Sequence, residues 1–586
     1  MTTVTIRSAL TALWPIIRRY KLSFLNLFLC VLVTSIIGMV YPYLFGMLVD
    51  EVFYHRNLGF FKFIVIGYGL IYLTEQGLHL VLNSVWTYMV TRFTFDIRKR
   101  LYERIVSLKA SFFHTSSTGE MMTVINRDAE EAMNLIHWNI FYLSANALRL
   151  MTAIGFVLYA NLYLGLLMIL VVPVVTFTTL AFTQATKKRM DAQRKQYGKL
   201  MGWCVEMLSG LRDIRLMGAE RYTSRQFVDS IVTYMRLKNK TSAIQFGTDR
   251  AVGFVTLVSD LTLYVVASLL IVKGHLTLGG FIAMIEYFSR ANGLLRNMSG
   301  ANGRLQQNKV SLARVIALLN EETEPAMKDA PKLQVTSGDI TFDNVSFRYR
   351  PDTPVLSGIN LRICGGETVA IVGKSGGGKS TLVSLLLRMY EPDEGEIRID
   401  GVPISECSLA SVREAVGAAL QEPYLFEGTI RSNLLWGSGT RTDEELWEAC
   451  RKASIAEDIV RLPSGLDTLY GGSGGVTMSG GQQQRIALAR TFLNQKRIIV
   501  FDEATSALDG EAEHAVKAGW RQIGEETTVM IIAHRLSTIL EADQVAVLED
   551  GRIAAFGPHE ELLRTSEAYR TLFKAQYSEL EEVAVG

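Results

Sequence analysis

Val369-Ala-Ile-Val-Gly373-Lys-Ser375-Gly376-Gly377-Gly378-Lys379-Ser380-Thr381 decides the fold of the second half of this chain. Four β-favouring residues run into G-x-x-x-x-G-K-[ST], and Thr381–Tyr390 reads as the helix that follows. Strand, glycine-rich turn and helix in this order form a phosphate cradle. The glycines let backbone N–H groups close around phosphate, and the helix N-terminus adds its positive dipole end. Lys379 can reach the β- and γ-phosphates, and the Ser380 hydroxyl can ligate Mg²⁺. Further along, Arg497-Ile-Ile-Val-Phe501 reads as a second strand ending in Asp502-Glu503. An acid at the carboxyl end of a parallel strand can hold Mg²⁺, and the next can polarise a nucleophilic water. The two motifs together specify a nucleoside triphosphatase on an α/β fold.

Upstream the chemistry changes. Crossing a hydrocarbon core about 30 Å thick takes about 20 mostly apolar residues, and Leu22–Val49 carries no charge at all. Further spans are expected near Phe63–Val90, Leu135–Ala160, Leu162–Phe182, Ala251–Val272 and Leu276–Met298, six in all, the second and sixth interrupted by polar groups. Basic residues cluster before the first span, between the second and third, and in Gln184–Arg250, which holds fourteen. The other side has only Arg56, Lys62 and Lys273, so both termini are expected in the cytoplasm. Residues 5–20 lack acids, like a transit peptide. With Leu10, Leu13, Trp14 and Ile17 on one face they are read instead as a helix lying at the inner interface.

Composition agrees with an oily half joined to a wet half: 49% hydrophobic and 20% charged residues, with a mean hydropathy of +0.19. That excludes a disordered chain. A net charge of +2 gives no basic field for nucleic acid, and five dispersed cysteines form no zinc knuckle or disulfide scaffold. The expected layout is an all-α six-helix transmembrane domain over residues 1–320, a linker over 321–336, where acids and two prolines collect, and an α/β P-loop cassette over 337–586.

Between the two nucleotide motifs lies Met478-Ser479-Gly480-Gly481-Gln482, which resembles the LSGGQ signature of ATP-binding cassette (ABC) transporters, with Met for the leading Leu. The other family marks follow in order. Tyr349 matches the aromatic that stacks on adenine, Gln421 the Q-loop, Asp509 in Ser506-Ala-Leu-Asp509 the D-loop, and His534 the switch histidine. Ser111–Glu120 and Glu206–Glu220 look like the two coupling segments of exporters of the type IV fold. The resemblance therefore covers nearly the whole chain and implies a half-transporter acting as a dimer, most simply of two identical copies. It implies ATP and Mg²⁺ as cofactors, with Ser380, Gln421 and Asp502 at the metal and Glu503 as general base. His534 would orient the γ-phosphate, and Ser479, Gly480, Gly481 and Gln482 would close over ATP bound by the other subunit. Three departures stand out: Met478, His114 in place of the usual acid or amide, and Gly472 where the family often has an acid before the signature.

Polar groups inside spans are costly in lipid and point to function. Glu75, His79 and Asn83 recur at i, i+4 and i+8. Arg149 lies in the third span and Asp260 in the fifth, and Glu286, Arg290 and Arg296 lie in the sixth. They can line a wet central cavity, or they can pair between and within helices, Glu286 with Arg290 and Glu75 with His79. Mixed charge on an aromatic-rich wall suits an amphipathic cargo: a peptide, a drug-like compound or a lipid. The expectation is an ATP-driven exporter in a bacterial inner membrane. The alternatives are an importer of a metal chelate on the same fold, and an ATP-gated regulator.

Overall fold

In a computed structural model of the chain, the described residues are Trp14, 18–52, 58–135, 142–299, 301–325, 330–472, 474–503, 510–521, 526–533 and 535–574. Apart from Trp14 and the turn Arg18–Tyr20, the interfacial helix expected over 5–20 lies outside them. The chain divides into two compact units. One comprises residues 1–106 and 116–321, the other 107–115 and 322–586.

The first unit is helical. Its long helices are α1 (Lys21–Asp50), α2 (Leu58–Val106), α3 (Leu143–Ala160), α4 (Leu162–Ser209), α5 (Glu220–Val272) and α6 (Leu278–Ser299), followed by α7 (Ala301–Asn320). Of these, α1, α2, α3 and α5 are long and apolar enough to cross a membrane, while the apolar part of α4 among the described residues is Leu162–Thr178. Helix α6 carries Glu286, Arg290 and Arg296 within its 22 residues, which lowers its hydropathy below that of a plain span. The helices run well beyond bilayer thickness: α5 has 53 residues, about 80 Å at 1.5 Å per residue.

Apolar residues such as Phe63, Leu73 and Leu80 on α2 face outward, as lipid-facing side chains do. The interior is packed from five helices through Met39, Leu150, Met168, Leu263, Tyr287 and Phe288. Helices α1 and α6 approach most closely at two glycines, where a Cβ on Gly279 would lie 1.9 Å from the Gly46 carbonyl oxygen. Small residues permit such backbone contact in membranes. Nearby, Asp50 accepts hydrogen bonds from the Gly279 N–H (2.8 Å) and the Thr277 hydroxyl (2.7 Å), tying the start of α6 to the end of α1.

Pro42 lies inside α1 and has no N–H to give the Gly38 carbonyl one turn earlier. The Arg290 guanidinium donates to that oxygen at 2.6 Å, and the Tyr287 hydroxyl donates to the Met39 carbonyl at 2.6 Å. A carbonyl freed by proline inside a membrane is thus satisfied from the neighbouring helix.

The second unit is α/β. An antiparallel sheet has the order β2 (Thr353–Ile363), β1 (Ile340–Arg350), β4 (Glu394–Ile399), β5 (Val402–Pro403). The main sheet has the order β12 (Arg552–Gly557), β11 (Gln544–Glu549), β3 (Thr368–Gly373), β10 (Thr528–Ile532), β9 (Ile498–Asp502), β6 (Val416–Ala419). All its neighbours are parallel except β12. Strand β3 is buried on both faces: Ala370 and Val372 enter one core cluster, Val369 and Ile371 the other. A parallel strand covered on both sides reads as a continuous apolar run for this reason. A two-stranded ribbon joins β7 (Gly428–Thr429) to β8 (Leu469–Tyr470).

The helix after the glycine-rich turn, α8 (Lys379–Leu386), is shorter than the expected Thr381–Tyr390. It stops because Arg388 turns to φ +51° and buries its guanidinium on the Ile404 and Cys407 carbonyls and on Glu391. Residues 107–115 meet the start of the linker: Leu108 bridges to Thr323, and Lys109 pairs with Glu322.

Candidate functional site

Strand β10 separates β3 from β9, and Ile532 is in register with both Ile371 and Asp502. The glycine-rich turn and the acidic pair therefore emerge at the same carboxyl edge of the sheet, where open parallel sheets bind ligands. The turn is shaped by its glycines. Gly378 has φ +97°, and a Cβ there would meet Leu356 at 2.8 Å; on Gly373 it would lie 2.2 Å from the Leu548 carbonyl oxygen. Gly376 also has positive φ, at +78°. Ser375, Gly376 and Gly377 complete the loop that leads into α8.

The Lys379 ammonium donates to the carbonyls of Gly373 (2.9 Å) and Lys374 (3.0 Å), lying over its own loop. Burial lowers its pKa from the usual lysine value, against the opposing pull of Glu503 and Asp502. The Ser380 hydroxyl donates to Asp502 Oδ1 at 3.1 Å. Two hard oxygens at this distance fit Mg²⁺, which takes one or two protein oxygens and completes its shell with phosphate and water.

Glu503 takes φ +50°, uncommon for a residue with a side chain. Its Oε2 accepts from the Gln421 amide at 2.7 Å, which brings the Q-loop residue to the candidate base. Tyr349 shares a 3.2 Å hydroxyl contact with Thr381 and packs edge-on against Phe347 and Tyr390, which holds its ring beside the start of α8.

Ser479 caps α9 (Gly480–Leu493) in a reciprocal box: its hydroxyl accepts from the Gln482 N–H at 3.3 Å, and Gln482 accepts from the Ser479 N–H at 3.0 Å. Ser479 and Gly480 are exposed, with Gly481 in the first turn. Among the described residues no hydrogen bond or ion pair joins this turn to residues 373–381. Met478 packs against the buried core in the Leu position of the signature. Asp509 and His534 lie outside the described residues, as does the side chain of His114.

Sequence reasoning passed over several supports. Gln484, two residues past the signature, donates to the Gln421 carbonyl at 3.1 Å. Asp458 holds Gln482 at 3.0 Å and Arg485 at 3.1 Å. Buried Glu513 pairs with Lys517 at 2.7 Å and with Arg535, the residue after His534. Single charged residues spread over distant helices leave no local pattern to find. The missing acid at Gly472 has a spatial counterpart: a Cβ there would stand 3.6 Å from Glu427 Oε2. The pairing of Gly428 with Tyr470 carries Glu427 to that place.

In the helical unit a cavity of about 290 Å³ is lined by Glu75, His79, Arg149 and Arg290, together with Thr34 and Ser35. Half of the proposed polar set is thus brought together. Glu75 stands 3.7 Å from His79, and Arg290 is bonded to Glu286 at 2.8 Å, so pairing and cavity lining coexist. Three expected members lie off the cavity wall. Asn83 is exposed one turn farther along α2, Asp260 faces Asn292 at 3.4 Å, and Glu286 points its half-exposed carboxylate back to Arg290. The Arg296 side chain lies outside the described residues.

Comparison with known proteins adds to this geometry. A family model described as the ABC transporter transmembrane region matches residues 24–294, and one described as ABC transporter matches residues 356–506. An uncharacterized ABC transporter ATP-binding protein, YwjA of Bacillus subtilis, is 30% identical over 566 residues, 96% of this chain and 98% of that protein. An ATP-dependent lipid A-core flippase of Syntrophus aciditrophicus is 32% identical over 94% of this chain and 91% of its own length. A putative multidrug export ATP-binding/permease protein, YgaD of Bacillus subtilis, is 32% identical over 84% of each chain. A solved bacterial Atm1-family ABC exporter with ATP bound superposes with a TM-score of 0.81 at 28% identity, over 95% of this chain and 98% of that one.

Proposed function

Because this chain belongs to the ABC transporters, integral membrane proteins whose cassette binds ATP and couples its hydrolysis to transport, we propose that it exports an amphipathic molecule by alternating access. It does so as a dimer of two identical chains in a bacterial inner membrane, with six spans per chain and both termini in the cytoplasm. Residues 1–320 serve as the membrane domain, 321–336 as the linker and 337–586 as the cassette. The observation that carries the proposal is the charged cavity among the membrane helices, lined by Glu75, His79, Arg149 and Arg290. A wet pocket of mixed charge behind apolar outer faces suits a molecule with a polar head and an apolar body. The names of two relatives, a lipid A-core flippase and a putative multidrug exporter, support outward movement of such molecules.

In the cassette, Tyr349 stacks on adenine, while the 373–381 loop and Lys379 hold the phosphates. Ser380, Asp502 and Gln421 are the residues that would hold Mg²⁺, which neutralises phosphate charge when bound. Glu503 accepts a proton from water as the water oxygen bonds to the γ-phosphorus and the bond to the bridging β–γ oxygen breaks. His534 steadies the γ-phosphate. Ser479, Gly480, Gly481 and Gln482 of one copy, with Asp509, close on ATP held by the other. The exposure of Ser479 and Gly480, and the lack among the described residues of any bond from this turn to residues 373–381, support that division of labour. Binding of two ATP molecules draws the cassettes together and hydrolysis releases them, switching the membrane helices between two states.

The test uses inside-out vesicles carrying this chain alone, incubated with ATP and a host-cell extract, with solutes compared by mass spectrometry against Glu503→Gln vesicles. Accumulation of an amphipathic species only with intact Glu503 is expected. ATP-dependent loss from preloaded vesicles would reverse the direction. ATPase activity that no solute alters would point to a regulator instead.

A further inference from the structure

The four charged groups around the membrane cavity are not equally available to a ligand. Arg290 is already engaged: its guanidinium donates to Glu286 Oε1 (2.8 Å) and to the Gly38 carbonyl that Pro42 leaves without a helical donor (2.6 Å), and it lies 5.9 Å from the Tyr41 ring centre. The Thr34 and Ser35 hydroxyls both donate to the Val31 carbonyl. Arg149 differs. It lines the same cavity from α3 and, among the described residues, makes no ion pair and donates no hydrogen bond. Glu75 lines it from α2, largely shielded from solvent, with the Tyr41 hydroxyl beside its carboxylate. Among the described residues its one ion-pair partner is His79 at 3.7 Å, which compensates it only when protonated. Among the described residues no ion pair or hydrogen bond joins Glu75 to Arg149. One cavity therefore presents, among the described residues, a cation with no hydrogen-bonded partner and an anion whose acceptor capacity is only partly used, not in contact with each other.

We infer that this cavity takes a zwitterionic group, with an anionic end on the Arg149 guanidinium and an ammonium end on the Glu75 carboxylate. This rests on the export reading only in treating the occupant as cargo. A half-buried charge with its hydrogen-bonding capacity unfilled is costly, and a ligand relieves it only by bringing the opposite sign. A phosphate or carboxylate meets the planar guanidinium through paired, charge-assisted hydrogen bonds, and an ammonium supplies Glu75 with donors. A singly charged anion would pair with Arg149 but stand against Glu75, and a singly charged cation would pair with Glu75 but stand against Arg149. The site thus rejects both by the charge each leaves uncompensated. At about 290 Å³, the cavity holds the volume of about ten waters. That suits a headgroup or a small zwitterion.

Equilibrium binding of three probes with the same tail tests the assignment: dodecylphosphoethanolamine, dodecyl methyl phosphate and dodecylammonium. They are measured on the full-length Glu503→Gln protein in a nonionic maltoside detergent, where no turnover occurs. The zwitterion should bind at least about tenfold tighter than either singly charged probe, the worth of one charged hydrogen-bonded contact. Glu75→Gln should move the preference to dodecyl methyl phosphate and Arg149→Gln to dodecylammonium. The exchanged pair Glu75→Arg with Arg149→Glu should return it to the zwitterion. Competition by tail-free glycerophosphoethanolamine as strong as by the dodecyl form identifies a soluble zwitterion as the occupant; weaker competition identifies a lipid-like one. Either supports the assignment.

A parent protein that ranks a singly charged probe first overturns it, and so do single variants that weaken all three probes equally. The ranking in the parent needs no variant to fold. Failure of the export reading is separable. A zwitterion that binds here but is never moved by vesicles with intact Glu503 refutes export and leaves the site standing. Transport of a singly charged amphiphile with no zwitterion preference refutes the site and leaves export standing.

Discussion

Replacing Arg290 by methionine tests whether a membrane-helix arginine is held in place by a proline on its neighbour. Methionine keeps much of the side chain's length and apolar contact but cannot donate. The Gly38 carbonyl, which has no N–H from Pro42, loses its 2.6 Å partner, and an unsatisfied buried acceptor costs about 1–3 kcal/mol. The lost pair with Glu286, whose side chain is 50% exposed, adds only about 0–1 kcal/mol. The single variant should therefore lose about 1–4 kcal/mol. Pro42→Ala restores a backbone N–H to the position from which α1 can serve Gly38 itself. In the Arg290→Met background it should recover the carbonyl's share, about 1–3 kcal/mol, while in the parent that oxygen is already satisfied.

The cycle is read as the midpoint of thermal unfolding followed by tryptophan fluorescence in detergent. A unit of 150–250 residues moves by about 2–4 °C per kcal/mol, and a larger one by less, so the expected separation is a few degrees. Because the chain has two units, the midpoint of the helical one is the quantity compared, not a global free energy. If the double variant melts as low as Arg290→Met alone, the bond to Gly38 is not what Arg290 contributes and the account of the proline fails.

Three further outcomes are expected. Glu503→Gln should lower kcat for phosphate release about 10²–10⁴-fold, the usual worth of a general base. The KM for ATP should change little, since a glutamine oxygen can still accept from Gln421; a fall of less than tenfold would remove Glu503 from that role. Gly279→Ala should sharply reduce folded protein in gel filtration, because its Cβ would sit 1.9 Å from the Gly46 carbonyl oxygen. Gly77→Ala, where a Cβ meets nothing within 4 Å, should be tolerated, and equal behaviour of the two would refute the close contact. Burial opposes the charge on Asp400, yet bonds from Ser337, Thr336 and Asp339 outweigh it and hold its carboxyl at about 2, below the unfolded value of about 3.9. Its contribution is therefore present above about pH 3.9 and is lost as pH falls towards 2. Asp400→Asn should melt below the parent at pH 6, and the gap should close by pH 2; a gap constant with pH would refute the assignment.

Much of the cassette was legible in the amino-acid order. Phosphate binding is built from backbone within one strand–turn–helix, so Gly373–Thr381 reads directly, and the Asp502-Glu503 pair sits at the end of an apolar strand. The signature turn is equally local, since Ser479 and Gln482 cap one helix end. Four of the six expected spans recur as helices long and apolar enough to cross a membrane, legible because lipid demands long apolar runs. Where α8 ends was not legible, because Arg388 stops it by binding carbonyls of residues 404 and 407.

The polar residues of the spans divide along the same line. Their presence in apolar helices marks them in the sequence, and the i, i+4 pairs Glu75–His79 and Glu286–Arg290 follow from helical pitch alone. Which of them share a cavity depends on how separate helices rotate and cross. Packing of α1, α2, α3 and α6 brings Glu75, His79, Arg149 and Arg290 to one wall, and turns Asn83 outward and Asp260 to Asn292. Proline at position 42 is plain in the sequence, but that the carbonyl it frees is met by Arg290, 252 residues away, is a fact of the fold. Local chemistry is written in neighbouring residues. A partner across a helix interface is chosen by packing, which no short stretch of sequence encodes.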